Sequence, residues 1–261
     1  MSGLVGNLHD GGMNTTALLS AAPVAPAAPG TALIDAHDLT RIWGKGNAAQ
    51  VGIAGVDLTI DRGEVVAVIG PSGSGKSTLG ALIAGIDRPT SGSLVVGGTR
   101  IDRMKRDELA RWRGANVGIV FQDFHLLPTL TAAENVELAI QLGGSGAGRR
   151  LRRSATRAAL DAVGLGGHAK KLPAQMSGGE QQRVGVARAM VTQPPLIIAD
   201  EPTGALDQAN GHAVFDLLVG LARTGSTVVV ITHDLALAGT ADRTISMIDG
   251  RVADVSVRGG V

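Results

Sequence analysis

The run Gly70-Pro71-Ser72-Gly73-Ser74-Gly75-Lys76-Ser77-Thr78 stands directly after the apolar segment Val65–Ile69 and before a segment of helical period. Gly-x-x-x-x-Gly-Lys-Ser between a strand and a helix is the spacing of a phosphate-binding loop. Glycines let successive backbone N–H groups converge on phosphate oxygens with no side chain in the way, and the helix start adds its partial positive charge. Lys76 is expected to reach the outer phosphates as a point charge, and the Ser77 hydroxyl to ligate Mg²⁺. A chance glycine-rich turn would not carry the strand before it and the helix after it. The loop therefore predicts binding of a nucleoside triphosphate.

A second apolar run, Leu196-Ile197-Ile198-Ala199, ends in Asp200 and Glu201. Ligands collect at the carboxyl ends of parallel strands, so Asp200 is placed to hold Mg²⁺ through water. Glu201, pointing elsewhere, is free to polarise an attacking water. The plainer alternative is a solvated acidic pair at a strand end, an alternative that the phosphate loop weakens.

Strand and helix alternate from residue 33 onward. Val65–Ile69, 117–120, 196–199 and 228–231 are nearly continuous apolar runs, the pattern of a parallel sheet covered on both faces. Helices are predicted over 76–85, 131–141, 150–163, 178–192 and 207–223. The segments 33–40, 51–60 and 93–101 alternate as antiparallel strands do, and Asp249-Gly250 marks a hairpin. Residues 123–180 are mostly helical, with a Gly/Ser loop at 143–148, and are expected to form an inserted lobe.

Composition removes several classes of function. The 261 residues carry 24 Lys+Arg against 23 Asp+Glu, so no whole-chain field favours nucleic acid. With no Tyr, three Phe and two Trp, a stacking platform for single strands has little support. The absence of cysteine excludes disulfides, thiolate metal sites and Cys nucleophiles. Residues 1–30 are rich in Ala, Gly and Pro, lack the basic start of a secretory signal, and are expected to be a flexible tail. No window of 18 apolar residues follows, so the chain is not expected to span a membrane.

Further residues make a family recognisable. Ser177-Gly178-Gly179-Glu180-Gln181-Gln182-Arg183 resembles the signature motif of ABC-type ATPases. Gln122, the stretch Gly204-Ala205-Leu206-Asp207, and His233 in Thr232-His233-Asp234 follow in the order and spacing of an ABC nucleotide-binding subunit. The likeness runs from residue 33 to about 255. It implies an α/β fold: a phosphate-loop NTPase core with an antiparallel β subdomain and a helical insertion, all within 31–261. ATP and Mg²⁺ are the implied cofactors.

The resemblance also assigns roles. Trp43 falls where the family places an aromatic, usually Tyr, that stacks on adenine. Gln122 is implied to touch Mg²⁺ or the attacking water and to sense a membrane partner, and His233 to contact the γ-phosphate, although a lone His after a strand is more often structural. Ser177, Gly178, Gly179 and Glu180 open a helix and are implied to reach ATP held by a second protomer; Asp207 is counted among the nucleotide-contacting residues. The implied assembly is a head-to-tail dimer at the cytoplasmic face of the cell membrane, with two ATP at its interface.

Met176, Glu180 and Gly204 replace the commoner Leu, Gln and Ser. Even so, Ser-Gly-Gly-Glu-Gln-Gln-Arg-Val, Pro-Thr-Gly-x-Leu-Asp and the segment Phe121–Val136 resemble the lipoprotein-release and macrolide-export branch. Members pair with four-span permeases bearing a large extracytoplasmic domain. The implied function is an ATPase subunit that powers such a permease, in export or extraction of a lipoprotein, peptide or drug-like cargo. The alternative is a mechanical or regulatory switch that acts through a permease-like partner without moving cargo. A soluble repair or translation ATPase is disfavoured: Lys76 and Ser177 lie too close for a long coiled coil, and there is one cassette. Arg149, Arg150, Arg152, Arg153 and Arg157 read as a solvated helix face, with anionic lipid or nucleic acid as the alternative. Leu126 and Leu127 suit either the core or a groove for a permease helix.

Overall fold

The computed structural model describes residues 32–44, 46–144 and 146–258. The expected tail at 1–30 lies outside these residues. The chain opens with two long antiparallel strands, β1 (Ala32–Trp43) and β2 (Gln50–Asp61), before the first core strand, β3 (Val65–Ile69). The phosphate loop then leads into α1 (Lys76–Ile83). Two short strands follow, β4 (Ser91–Val96) and β5 (Thr99–Arg100), then α2 (Arg106–Asn116) and β6 (Val117–Phe121). Three helices separate β6 from the next core strand: α3 (Ala132–Leu142), α4 (Arg149–Ala162) and α5 (Gly178–Met190). The remainder alternates as β7 (Leu196–Asp200), α6 (Gln208–Arg223), β8 (Thr227–Ile231), the short α7 (Leu235–Ala238) and the hairpin β9 (Arg243–Ile248) and β10 (Arg251–Val257).

The strands form two sheets. The smaller runs β2-β1-β4-β5 and is antiparallel. The larger runs β10-β9-β3-β8-β7-β6, parallel from β9 to β6, with only β10 antiparallel. Side chains alternate across a strand, and that alternation explains why the core strands are apolar throughout. Val66 and Val68 of β3, Leu196 and Ile198 of β7, and Val229 and Ile231 of β8 join one apolar cluster. Val65, Ala67, Ile197, Ala199, Val228 and Val230 join the other. The smaller sheet covers the first face through Ile34, Leu39, Ile53 and Ile60, together with Leu79 and Leu82 of α1. Helices α3 to α6 cover the second, with Val136, Leu160, Val184 and Leu218 among the buried residues. Each such side chain contributes about 1.5–3 kcal/mol when fully buried.

The antiparallel reading of 93–101 needs one correction. Gly97 and Gly98 take φ of 58° and 78°, so the segment turns into a β4–β5 hairpin and ends in a short 3₁₀ turn at Ile101–Arg103. No described helix is long and apolar enough to cross a membrane.

Candidate functional site

The phosphate loop occupies the carboxyl end of β3, which lies between β8 and β9. Its shape depends on glycine. Gly70, Gly73 and Gly75 have φ of 148°, 79° and 96°, and a Cβ on Gly70 would come within 2.2 Å of the Met247 carbonyl oxygen. Helices α3, α5 and α6 are capped by the side chains of Thr131, Ser177 and Asp207. Helix α1, by contrast, begins at Gly75 with no side-chain cap, so its first amides are left to an anion. Lys76 folds back over the loop, its Nζ donating to the carbonyls of Gly70 at 2.8 Å and Pro71 at 2.9 Å. The buried Ser74 hydroxyl has no hydrogen-bond partner. A glycine-rich loop leading into an uncapped helix start, with an ammonium and an unpaired hydroxyl, fits a polyphosphate.

A cavity of about 510 Å³ opens over this loop, a size suited to a small ligand. Trp43, Gly70, Ser72, Gly73, Gly75, Lys76, Ser77, Thr78, Glu201 and His233 line it, as do Gln50, Val51 and Gly52, which sequence reasoning had not marked. Residues of β1 and β2, the loop, and the segments that follow β7 and β8 thus meet at one place. Pro71, Ser74, Gln122, Asp200, Asp207 and the segment Ser177–Glu180 do not line the cavity.

Asp200 reaches the site's edge through Ser77, whose hydroxyl donates to Oδ1 at 3.3 Å. Burial raises the Asp200 pKa; the Ser77 hydrogen bond opposes that shift, the neighbouring Glu201 charge adds to it, and Lys76 opposes it. A hydroxyl and a carboxylate whose charge is poorly solvated fit Mg²⁺, which takes one or two carboxylates and otherwise uses substrate phosphates and water. No group of three or more ionisable ligands that could hold a metal exists among the described residues.

Glu201 is turned away from Asp200 by its own backbone, with φ of 47° and its N–H on the Ile231 carbonyl at 2.8 Å. Its carboxylate meets His233, with Nδ1 to Oε2 at 2.9 Å, and the imidazole is 74% exposed. The plain reading of a buried structural His does not hold for this one.

The signature segment forms a second locus. Ser177 caps α5, accepting from the Glu180 amide at 3.2 Å, while Glu180 accepts from the Ser177 amide at 2.8 Å. Those bonds, the Ser177 amide foremost, then the charges of Lys171 and His168, hold the Glu180 pKa below its usual range. His168 Nδ1 stands 2.7 Å and Lys171 Nζ 3.5 Å from Glu180 Oε1. A Cβ on Gly179 would sit 2.5 Å from Asn210 Oδ1, and Asn210 in turn is bound to Asp207 through its amide and side chain. In this chain Asp207 therefore caps α6 beside the signature glycines.

Gln122 is exposed after β6 and approaches Gly204, where a Cβ would lie 3.2 Å from its Nε2. The buried Gln182 ties the two loci together: its Nε2 donates to Phe121 O at 3.1 Å and Pro202 O at 2.6 Å, one residue before Gln122 and one after Glu201. Of the leucine pair, Leu126 packs against the core and Leu127 is exposed. Arg152 pairs with Glu137 and Arg157 with Asp161, and Arg149, Arg150 and Arg153 lie along α4.

Comparison with known proteins gives one answer. A family described as ABC transporter matches residues 53–204. The uncharacterized ABC transporter ATP-binding protein YbbA of Escherichia coli (strain K12) is 42% identical over 87% of this chain and 99% of its own length. The macrolide export ATP-binding/permease protein MacB of Marinobacter nauticus is 45% identical over 85% of this chain and 34% of its own. The dimeric post-hydrolysis state of the ATP-binding cassette MJ0796, bound to ADP and Pi, superposes with a TM-score of 0.81 at 38% identity, covering 87% of this chain and all of that one.

Proposed function

This chain belongs to the ABC transporter family as the ATP-binding, ATP-hydrolysing subunit that powers a membrane permease, and on that premise we propose how its residues divide the work. Gly70–Thr78 cradles the triphosphate, Lys76 countering the charge on the outer phosphates. Ser77, Asp200 and Gln122 would hold Mg²⁺, which when bound would neutralise phosphate charge. Trp43 offers a π-face to the adenine. Glu201 takes a proton from the attacking water and His233 steadies charge at the γ-phosphate. Their 2.9 Å contact holds the two side chains together at the mouth of the cavity.

The observation that carries the reading is the convergence of the loop, Trp43, Glu201 and His233 on one cavity while Ser177–Glu180 stays outside it. A site missing its signature segment is completed by a second chain placed head to tail, as in a dimeric cassette. ATP then favours the closed dimer and hydrolysis the open one, a shift of population that does mechanical work on the permease. Likeness to a macrolide export ATP-binding/permease protein supports export as the direction, and the motif resemblance to the lipoprotein-release and macrolide-export branch points to a partner of the four-span type with a large extracytoplasmic domain. The subunit would then sit at the cytoplasmic face through that partner. The unit is one ABC domain over 31–261, with its helical lobe at about 123–180.

Glu201→Gln tests the assignment. ATP binding should persist, turnover should fall by roughly 10²–10⁴-fold, the span of a lost general base, and ATP should drive the variant to a dimer by size-exclusion chromatography. Ordinary steady-state turnover in that variant would remove Glu201 as the base.

A further inference from the structure

Trp43 is more tightly held than a partly exposed ring requires. Arg41, two residues earlier on β1, lies over the ring with Cζ 5.3 Å from the centroid. Asp87 grips that same arginine with both oxygens, at 2.7 Å from Nε and 3.0 Å from Nη2. One carboxylate therefore fixes the cation that lies on the ring's face. Asp87 is itself anchored: its Oδ1 accepts from the Arg88 amide at 2.7 Å, and its own amide donates to Ala81 O at 3.2 Å.

That last bond matters, because Ala81 belongs to α1, the helix that starts at the phosphate loop. The carboxylate that holds Arg41 over the ring is thereby tied to the helix that begins at the phosphate site.

We propose that Asp87, with Arg41, is a positioning residue for the nucleobase: it holds the Trp43 ring in its stacking orientation before nucleotide arrives. A side chain ordered in advance spares the bound state the entropy of ordering it. The inference rests on Trp43 being the base platform.

The test is steady-state ATP hydrolysis by the full chain as wild type, Asp87→Asn, Arg41→Met, Trp43→Ala and the Trp43→Ala/Asp87→Asn double variant. Inorganic tripolyphosphate serves as a competitor without a base. Asp87→Asn and Arg41→Met should each raise the KM for ATP by about threefold to tenfold, the size of one aromatic contact. The kcat should stay within about twofold, the pattern of lost uniform binding, and tripolyphosphate inhibition should not change. Trp43→Ala should raise KM, and Asp87→Asn should add nothing in that background. If Trp43→Ala leaves KM unchanged, the platform reading fails. If Trp43→Ala raises KM but Asp87→Asn does not, raises it equally without the ring, or weakens tripolyphosphate inhibition too, the positioning inference alone is overturned. Arg41→Met removes the cation from the ring's face and leaves Asp87 in place, so it gives the answer even where Asp87→Asn destabilises the fold.

Discussion

At the scale of single residues, the site holds groups in conditions that cost stability. Asp200 is a carboxylate in a place that disfavours its charge, since burial pushes its pKa up and Glu201 next door pushes the same way. Glu201 adopts a left-handed backbone that is uncommon outside glycine and turns its side chain toward His233. Under the proposed function both features serve phosphate chemistry. Asp200→Asn should therefore separate the two: Tm at neutral pH should rise, because an amide of the same shape carries no charge to desolvate, while Mg²⁺-dependent turnover should fall by roughly 10²-fold or more, the cost of losing a charge-stabilising group at the reaction centre. Calorimetry and a phosphate-release assay on the same preparation decide it. A variant that melts earlier than wild type would mean that the carboxylate's bond to Ser77 outweighs its burial.

At the scale of elements, α5 and β6 are in direct backbone contact. A Cβ on Gly118 of β6 would come within 2.2 Å of the Ala189 carbonyl oxygen of α5, and Gln182 of α5 hydrogen-bonds the end of the same strand. The signature helix and the strand that delivers Gln122 therefore move as one piece. Gly118→Ala forces them apart; it should cost about 1–3 kcal/mol, as overpacking does, lower Tm by several degrees, and reduce turnover. A variant with unchanged Tm would show that the helix slides freely on the sheet. The strongly periodic elements were legible in the sequence to within a few residues, because Thr131, Ser177 and Asp207 cap the helices where their residue types predict. Helix α2 was not, since Leu109 is its only buried residue and a polar helix leaves no apolar stripe to read. The phosphate loop was legible because its chemistry is contiguous. His168 beside Glu180, Asn210 beside Gly179, and Asp87 beside Arg41 and Trp43 were not, because each pair is assembled by the fold from separated segments.

At the scale of the whole molecule, the two loci share a single scaffold, and the second does not line the cavity of the first. The parallel sheet places the phosphate loop, Glu201 and His233 at its carboxyl edge, whereas α5, Asn210 and Asp207 assemble a second surface that does not line that cavity. A chain carrying both halves of one site apart from each other gains a complete site by pairing with its copy, and a two-fold axis then completes both sites at once. This arrangement predicts complementation. Lys76→Ala disables the phosphate half and leaves the signature intact; Gly179→Asp crowds Asn210 and disables the signature half while leaving the phosphate loop intact. In the Glu201→Gln background, neither variant alone should retain ATP through rapid gel filtration, because every site in either homodimer lacks one half. Mixed in equal amounts, they should retain about one nucleotide per mixed dimer, since a two-fold pair then contains one site built from the two undamaged halves. Retention by the mixture no greater than that of the two variants measured separately would mean that each chain closes its own site, and the head-to-tail dimer would fall with it.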